Sequence, residues 1–229
     1  MLQVYLVRHG ETEWNVARRI QGQSDSPLTE VGIRQANLVA EKVKSIGITH
    51  IVSSDLGRTQ KTAEIIAQAC HCNIILEPRL RELNMGILEG RAISSLSDEE
   101  ERWRRSLVNG SPGARIPDGE SMGEITKRMF TALEECRSLP AGSLPLLVSH
   151  GIGLGALLNR ILGVPTYAER RLRLRLRLRL RLRLRLRLRN CSISKVDFQE
   201  TPWLANGWVV ETAGDISHLI EPALDEQQI

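Results

Sequence analysis

The sequence predicts an α/β protein built as a three-layer sandwich, with a mostly parallel central sheet and helices on both faces. Short apolar, β-prone runs alternate with amphipathic helical segments through most of the 229 residues. That alternation is typical of parallel sheets covered on both faces. Hydrophobic residues make up 41% of the chain and charged residues 25%, which is ordinary for a globular protein. We therefore expect a single domain over residues 1–229, large enough to bury a substantial core.

The first predicted strand, Leu2 to Val7, begins almost at the N-terminus and runs into Arg8-His9-Gly10. Open α/β sheets bind ligands at the carboxyl ends of their strands, so Arg8 and His9 are expected at a ligand-binding edge. The planar guanidinium of Arg8 suits phosphate oxygens. The imidazole of His9 can act as a nucleophile near neutral pH. Gly10 permits a sharp turn or a close approach of the backbone to a ligand.

The segment that follows predicts a helix, a strand, a second helix and another strand. Thr29 is placed to cap the first helix, and Gly47 is placed to end it. The apolar face of that helix is formed by residues three and four positions apart, namely Ile33, Ala36, Ala40 and Val43. The remaining elements are a strand over His50–Ser54, a helix that Asp55–Thr59 leads into and that runs to about Ala69, and a strand over Ile74–Leu76.

The second half of the chain predicts three helices and at least two strands. Capping boxes begin at Ser97 and Ser121, and each predicts a helix start. The Pro/Gly-rich stretch between the two helices, Asn109 to Gly119, is long enough for a lid or a substrate loop. A strand then ends at His150-Gly151, a helix runs to Leu162, and strand-like pieces lie between Ser192 and Val210.

An uninterrupted Arg-Leu repeat occupies residues 171–189. Its period of two is the β pattern, and we interpret it as a short strand whose repeat has expanded. A projecting helix is the alternative, because Leu and Arg are both good helix formers. With Arg170 it contributes eleven arginines, so the formal net charge of +4 becomes −7 without the tract. A nucleic-acid-binding or membrane-binding module that uses the tract is the alternative from another functional class. The acidic remainder favours neither partner, so we expect no specific nucleic acid and no membrane.

The cysteines and the N-terminus indicate a reducing, cytoplasmic setting. The chain has four cysteines, none in a Cys-x-x-Cys pair, which is too few for a disulfide scaffold. Cys70-His71-Cys72 is interpreted as a helix end, because no second ligand pair lies at zinc-site spacing. No signal peptide and no run of about 18 apolar residues is visible. No metal site is expected.

Four separate segments place polar side chains at the same predicted edge of the sheet. They contribute Arg8 and His9, Arg58, Glu82, and His150. Phosphoryl transfer needs a nucleophile in line with phosphorus and positive charge around the three equatorial oxygens. The two arginines supply that charge, and they also disfavour the imidazolium form of His9. His150 is suited to donate to a phosphoryl oxygen, and Glu82 is suited to move a proton.

These segments resemble the motifs of the histidine phosphatase superfamily, and the whole chain resembles its short bacterial phosphoglycerate mutase-like members. The matching motifs are Arg8–Thr12, Ser53–Thr59, Arg81–Gly86 and Ser149–Gly151, in the family's order. The resemblance implies that His9 is the phosphorylated nucleophile, Glu82 the acid/base, and Arg8, Arg58 and His150 the phosphoryl-binding groups. The positions that it implies for the substrate pocket are Arg8, Asn15, Gln21, Gly22, Arg58, Gln60, Glu82, Leu83, Asn84, Met85, Arg104, Arg105, Gly151 and Ile152.

The expected reaction is the interconversion of 2-phosphoglycerate and 3-phosphoglycerate, with a phosphatase for small phosphorylated metabolites as the alternative. The resemblance implies no tightly bound cofactor, and 2,3-bisphosphoglycerate as phosphoryl donor if the protein is a mutase. Gly151–Ala156 also fits the Gly-x-Gly-x-x-Gly/Ala dinucleotide fingerprint, which is typical of dehydrogenases. The sequence after it leads into the Arg-Leu repeat rather than a βαβ unit, and His150 is better explained by phosphate binding. Arg104 and Arg105 could instead be an ordinary exposed helix face. The sequence leaves the oligomeric state open.

Removal of Arg175–Leu188 should leave catalysis intact. These fourteen residues are seven Arg-Leu pairs, so their deletion joins Leu174 to Arg189 and preserves the alternation of side chains. We expect the shortened protein to fold, to be more soluble and to keep its turnover. The measurement compares urea unfolding, solubility and phosphoester turnover of the two proteins. A well-folded deletion variant without turnover would show that the tract belongs to the active site.

Overall fold

A mixed sheet of six strands lies at the centre of the described structure. The computed structural model describes residues 1–109, 111, 113–164, 188–200 and 206–219. The strand order is β3-β2-β4-β1-β5-β6, in which β1 to β4 run parallel and β5 and β6 are antiparallel. The predicted fold class is confirmed, with two antiparallel strands added at one side. The strands are β1 Leu2–Arg8, β2 His50–Ser53, β3 Ile74–Leu76, β4 Pro145–Ser149, β5 Ile193–Phe198 and β6 Trp208–Asp215.

The helices after Thr29 lie close to the positions that the sequence predicts, whereas the short helix Glu13–Val16 was not predicted. Side-chain oxygens of Thr29, Ser97 and Ser121 accept hydrogen bonds from the first turns of three helices. Gly47 ends the first long helix in the left-handed conformation, with φ 85°. The helices are α1 Glu13–Val16, α2 Glu30–Ile46, α3 Gly57–Cys70, α4 Asp98–Val108, α5 Met122–Glu135 and α6 Gly151–Ile161. Short 3₁₀ turns cover Pro78–Leu80, Gly86–Leu88, Ile93–Ser95, Cys136–Ser138 and Ser217–Leu219.

Two apolar clusters cover the two faces of the sheet, as a three-layer sandwich requires. One cluster packs α2 and α3 against strand residues that include Val7 and Val148. The other packs α5 and α6 against the opposite face, which includes Leu6 and Leu147. Every residue of β4 is buried, because this strand lies in the middle of the sheet with helices on both sides.

The strand register brings the carboxyl ends of β1, β2 and β4 to one edge. Arg8 pairs with Ser149, and Ser53 pairs with Val148. The chain passes from β1 through α2 to β2, and β4 later inserts between these two strands. Such a reversal of strand order opens a crevice at the carboxyl edge, where α/β proteins bind their ligands.

Two glycines set the distance between this edge and α2. A Cβ on Gly10 would lie 2.5 Å from the carbonyl oxygen of Gly32, and a Cβ on Gly32 would lie 2.1 Å from the carbonyl oxygen of Glu11. Both distances are far inside van der Waals contact. The sequence predicts a sharp turn at Gly10 or a close approach of its backbone to a ligand; in the structure Gly10 lies against the first turn of α2, which fixes the turn after β1.

Two predicted features lie partly outside the described residues. The Arg-Leu repeat and its predicted conformation lie outside them, except for Leu188 and Arg189 at its end. The predicted loop from Asn109 to Gly119 is described except for residues 110 and 112. Its described part packs against the Glu82 region, where Ile87 donates a backbone hydrogen bond to Pro117 O at 3.1 Å.

Two further expectations concern the helix end at Cys70-His71-Cys72 and membrane-spanning helices. Cys70 ends α3, and His71 caps it in the left-handed conformation, which confirms the prediction of a helix end. All four cysteines are free thiols. In the described part of the chain, no helix has both the length and the apolar character needed to cross a bilayer.

Candidate active site

His9 lies one residue beyond the end of β1, and its backbone is fixed from several directions. Its N–H donates to Ser149 O at 3.0 Å, which extends the pairing with β4. Gly10 N–H donates to the Thr62 hydroxyl on α3 at 3.1 Å. The His9 side chain is 2% exposed. The imidazole therefore occupies one defined position at the edge of the sheet.

A hydrogen bond within the turn sets the tautomer of His9. Its Nδ1 lies 2.7 Å from the carbonyl oxygen of Gly10. A carbonyl oxygen only accepts, so Nδ1 must be the donor and carries the proton. In a neutral imidazole, this leaves the lone pair on Nε2. The turn after β1 thus presents Nε2 as the nucleophilic atom.

The surroundings of His9 keep it neutral. Burial lowers the pKa of His9 well below 6.5, and the positive charges of Arg8 and Arg58 lower it further. The pKa of His150 is also well below 6.5 because of burial, then because of Arg58, His9, Arg8 and Arg128. The two imidazole rings lie 5.2 Å apart between centroids. Both imidazoles can therefore lie beside the guanidinium groups without charge repulsion.

Arg8 and the backbone of His9 are held by residues 188–192, the segment that follows the repeat. An Arg8 guanidinium nitrogen donates to Leu188 O at 2.7 Å. The Asn190 amide donates to His9 O at 3.0 Å and to Asn15 Oδ1 at 3.1 Å. Cys191 N–H donates to Arg8 O at 3.0 Å. The deletion proposed above keeps these contacts available, because Leu174 then precedes Arg189 as Leu188 does now.

Arg58 lies in the first turn of α3, where a positive charge opposes the helix dipole. It is 1% exposed, and its guanidinium donates to Ser24 O and Gly22 O, both at 2.7 Å. Asp25 compensates for the charge: its Oδ1 accepts from the guanidinium at 2.9 Å and from the Arg58 backbone N–H at 3.3 Å. The loop before α2 thus orients Arg58 at the edge of the sheet.

His150 follows β4 and is held by a hydroxyl from the neighbouring strand end. Its Nε2 lies 2.9 Å from the Ser54 oxygen. Leu56 N–H already donates to that oxygen at 3.4 Å, so the Ser54 hydroxyl is suited to donate to Nε2. The proton of neutral His150 then lies on Nδ1. Nδ1 is buried and has no hydrogen-bond partner within the described residues, as is also true of Arg58 Nε and Gln21 Oε1.

Glu82 is held at the start of α6, directly after His150. Its carboxylate accepts backbone hydrogen bonds from Ile152 at 3.0 Å, Gly153 at 2.9 Å and Leu83 at 2.9 Å. The N-terminal N–H groups of a helix are favourable partners for a carboxylate. This contact also bears on the dinucleotide fingerprint of Gly151–Ala156, because Glu82 occupies the N–H groups that a pyrophosphate would need.

Four further pocket candidates lie in the first half of the chain, and their place in a substrate pocket stays a prediction. Gly22 has φ +56°, and its carbonyl accepts from Arg58. The Asn15 side chain accepts from the N–H of Thr12, the N-cap of α1, and also contacts Asn190. The Gln60 amide donates to Asp55 O at 2.7 Å. The Gln21 side chain is 8% exposed.

Leu83, Asn84 and Met85 have a different environment. Leu83 and Met85 belong to the apolar core beneath the sheet edge, with exposures of 0% and 4%. Asn84 accepts from Gly86 N–H at 2.8 Å and so shapes the turn after Glu82. Their described role at this edge is to support the Glu82 loop.

Arg104 and Arg105 lie on α4, and both bind Glu101 of the same helix. The distances from the two Nε atoms to Glu101 are 2.6 Å and 2.5 Å. The Arg105 side chain is 70% exposed and that of Arg104 is 24% exposed. The described contacts connect neither guanidinium to His9, so a role of this pair in substrate binding stays a prediction.

Three site residues were not predicted from the sequence, namely Asp25, Ser54 and Asn190. Asp25 lies 33 positions from Arg58, and Asn190 lies 181 positions from His9. No local pattern connects residues so far apart. Ser54 could have been predicted as a site residue, because it lies in the Ser53–Thr59 motif at the end of a predicted strand.

The fold and this site define a class: α/β proteins with a neutral histidine and two guanidinium groups at the carboxyl edge of the sheet. The sequence profile described as histidine phosphatase superfamily (branch 1) matches residues 4–211. The chain is 67% identical over 228 residues to the probable phosphoglycerate mutase GpmB of Proteus mirabilis (strain HI4320), covering 100% of both proteins. It is 66% identical, with the same coverage, to a protein of that name from Photorhabdus laumondii. This chain therefore belongs to the histidine phosphatase superfamily, and the resemblance of its motifs is confirmed.

Solved structures agree with this assignment. YhfR of Bacillus stearothermophilus is 26% identical and superposes with a TM-score of 0.82, over 96% of this chain and 100% of that one. A phosphoserine phosphatase mutant from Entamoeba histolytica, in complex with phosphoserine, is 25% identical with a TM-score of 0.77, over 96% of this chain and 100% of that one.

We expect the imidazoles of His9 and His150 to stay neutral at pH 6.5, because burial and the nearby guanidinium charges lower the pKa of both. Below pH 6.5 the unfolded chain takes up protons at these positions while the folded chain does not, so stability should fall as the pH falls. Imidazole ¹⁵N chemical shifts measure the protonation, and urea unfolding on both sides of pH 6.5 measures the stability. A pKa of His9 at or above 6.5 would contradict this account.

Proposed function

We propose that the protein is an enzyme that interconverts 2-phosphoglycerate and 3-phosphoglycerate through a phosphohistidine on His9. The observation that carries the proposal is the fixed tautomer of His9, which directs a neutral Nε2 lone pair away from Gly10 in a site with Arg8 and Arg58. A neutral nitrogen nucleophile among cations is what transfer of a dianionic phosphoryl group requires.

In the first half-reaction, the Nε2 lone pair of His9 forms a bond to phosphorus while the bond from phosphorus to the substrate oxygen breaks. The electrons of that bond go to the leaving oxygen, and Glu82 in its protonated form gives it a proton. The N–H groups of Leu83, Ile152 and Gly153 then stabilise the carboxylate that remains. Arg8, Arg58 and the Nδ1–H of His150 neutralise charge on the phosphoryl oxygens.

The second half-reaction returns the phosphoryl group to an acceptor. The acceptor oxygen attacks phosphorus, its proton passes to the Glu82 carboxylate, and the electrons of the N–P bond return to Nε2 of His9. In a mutase the acceptor is a hydroxyl of bound phosphoglycerate, and in a phosphatase it is water. A mutase must therefore retain a doubly phosphorylated intermediate and exclude water.

The names of the full-length relatives favour the mutase, since proteins 67% identical to this chain are called probable phosphoglycerate mutases. The substrate is then a small phosphorylated metabolite, no cofactor is tightly bound, and 2,3-bisphosphoglycerate serves as phosphoryl donor. Arg104 and Arg105 are the candidates for binding the carboxylate or the distal phosphate. A phosphatase for small phosphorylated metabolites is the second candidate, favoured by the likeness to a phosphoserine phosphatase.

Replacement of His9 by alanine should abolish both phosphoenzyme formation and turnover, because it removes the Nε2 lone pair that attacks phosphorus. The test supplies 3-phosphoglycerate with 2,3-bisphosphoglycerate and follows 2-phosphoglycerate against inorganic phosphate. Wild-type protein should form 2-phosphoglycerate and an acid-labile, base-stable phosphoenzyme. His50→Ala is the matched control, because His50 lies at the start of β2 and its side chain contacts Thr49.

The outcomes separate the two candidate reactions. Release of inorganic phosphate without 2-phosphoglycerate would reject the mutase and retain the phosphatase, provided that His9→Ala is inactive. A His9→Ala protein that keeps full activity would reject the phosphohistidine itself.

A further inference from the structure

Arg128 of α5 lies beneath the loop that carries Glu82, and its guanidinium makes five polar contacts. It donates to three backbone carbonyls of that loop: Arg79 O at 2.7 Å, Arg81 O at 2.6 Å and Glu82 O at 2.9 Å. It also binds both carboxylate oxygens of Glu120, at 2.7 Å and 2.8 Å. The Arg128 side chain is 18% exposed and that of Glu120 is 15% exposed. All the guanidinium nitrogens of Arg128, at the edge of the core, therefore have hydrogen-bond acceptors.

Glu120 has a clear part in this arrangement, because a carboxylate that binds two guanidinium nitrogens fixes the plane of the group. The remaining N–H groups then point at the loop carbonyls. Glu120 is itself joined to the loop, since its N–H donates to Asn84 O at 2.9 Å and its carboxylate accepts from Asn84 N–H at 3.3 Å. Helix α5 and the segment before it thus hold the loop on both sides of Glu82.

The two ends of Glu82 are held by different elements. Its backbone carbonyl is bound to Arg128 on α5, and Gln23 Nε2 also donates to that carbonyl at 3.2 Å. Its carboxylate is bound to Ile152 and Gly153 at the start of α6. A glutamate side chain is flexible, so the carboxylate stays at the α6 terminus only while the backbone beneath it stays in place.

We propose that Arg128 is a positioning residue. It holds Glu82, the acid/base, at its working distance and orientation, and it does not contact the substrate. The inference rests on the proposed function, because it assigns Arg128 to the proton-transfer part of that mechanism. The phosphoryl-binding part belongs to Arg8, Arg58 and His150. Removal of Arg128 should therefore impair protonation of the leaving oxygen more than attack by His9.

Leaving groups distinguish these two parts of the reaction. The phosphoglycerate alkoxide that leaves 2,3-bisphosphoglycerate needs a proton, whereas the 4-nitrophenolate that leaves 4-nitrophenyl phosphate departs without one. With a misplaced Glu82, phosphoenzyme formation from the alkyl ester should slow by at least about tenfold, and formation from the aryl ester by less than about threefold. Arg128→Lys should lose nearly as much as Arg128→Ala, because a compact ammonium cannot reproduce the planar fork.

Two further measurements make the test specific. Arg128 and Glu120 line an open groove of about 560 Å³, so added guanidinium ion can reach the space that Arg128→Ala leaves and should restore part of the alkyl-ester rate. Lys127→Ala is the matched control, since Lys127 is the exposed neighbour on α5 and lines the same groove. The control should keep both rates.

Hydrogen exchange tests the geometry without any turnover. The backbone N–H groups of Ile152 and Gly153 are protected by the Glu82 carboxylate, so they should exchange faster in Arg128→Ala and Arg128→Lys but not in Lys127→Ala. Urea unfolding checks that each variant is folded, and Arg128→Lys serves if the alanine variant is not.

Equal loss of rate on both esters would overturn the proposal, because lost charge near His150 or a general loosening of the fold slows both alike. Unchanged exchange of Ile152 and Gly153 would also overturn it. Failure of the proposed function has a different signature: wild-type protein would form no phosphoenzyme from either ester, while the exchange result would still decide whether Arg128 holds Glu82.

Discussion

The hydrogen bond from His9 Nδ1 to the Gly10 carbonyl is the interaction on which the site depends. At 2.7 Å it fixes the ring and leaves the lone pair on Nε2. It exists because the turn after β1 is held in one conformation: Gly10 N–H is bound to Thr62, and Gly10 packs directly on the backbone of Gly32. The tautomer of the nucleophile is therefore set by backbone packing between β1, α2 and α3.

The second constraint is the cost of placing positive charge in a buried edge. Burial of an unpaired guanidinium is expensive, so each arginine at the edge is held by polar partners. Arg58 has Asp25 and two carbonyls, and Arg8 binds the carbonyl of Leu188. Burial is the largest cause of the lowered pKa of His9 and His150, and the positive field of Arg8 and Arg58 lowers the pKa of both further. The same field is what an incoming phosphoryl group would meet.

The elements of this fold could be predicted because their signals are local. Each signal determines structure within a few positions of itself. The signals are the capping residues Thr29, Ser97 and Ser121, the helix end at Gly47, and the continuous apolar run of β4. Parallel strands share a carboxyl edge, so the juxtaposition of His9, Arg58 and His150 also followed from the pattern. The partners that orient these three side chains could not be predicted from the pattern. Asp25, Asn190 and Arg128 act across the chain, and nothing in their neighbourhoods distinguishes them from surface residues.

The position of the phosphoryl group on His9 tests the central claim most directly. The phosphoenzyme formed from 2,3-bisphosphoglycerate, with the histidine nitrogens labelled, should show ¹⁵N–³¹P coupling to Nε2 of His9 while Nδ1 keeps its proton. That result would follow from the hydrogen bond between Nδ1 and Gly10. Coupling to Nδ1, or a phosphoryl group on any other residue, would contradict the account.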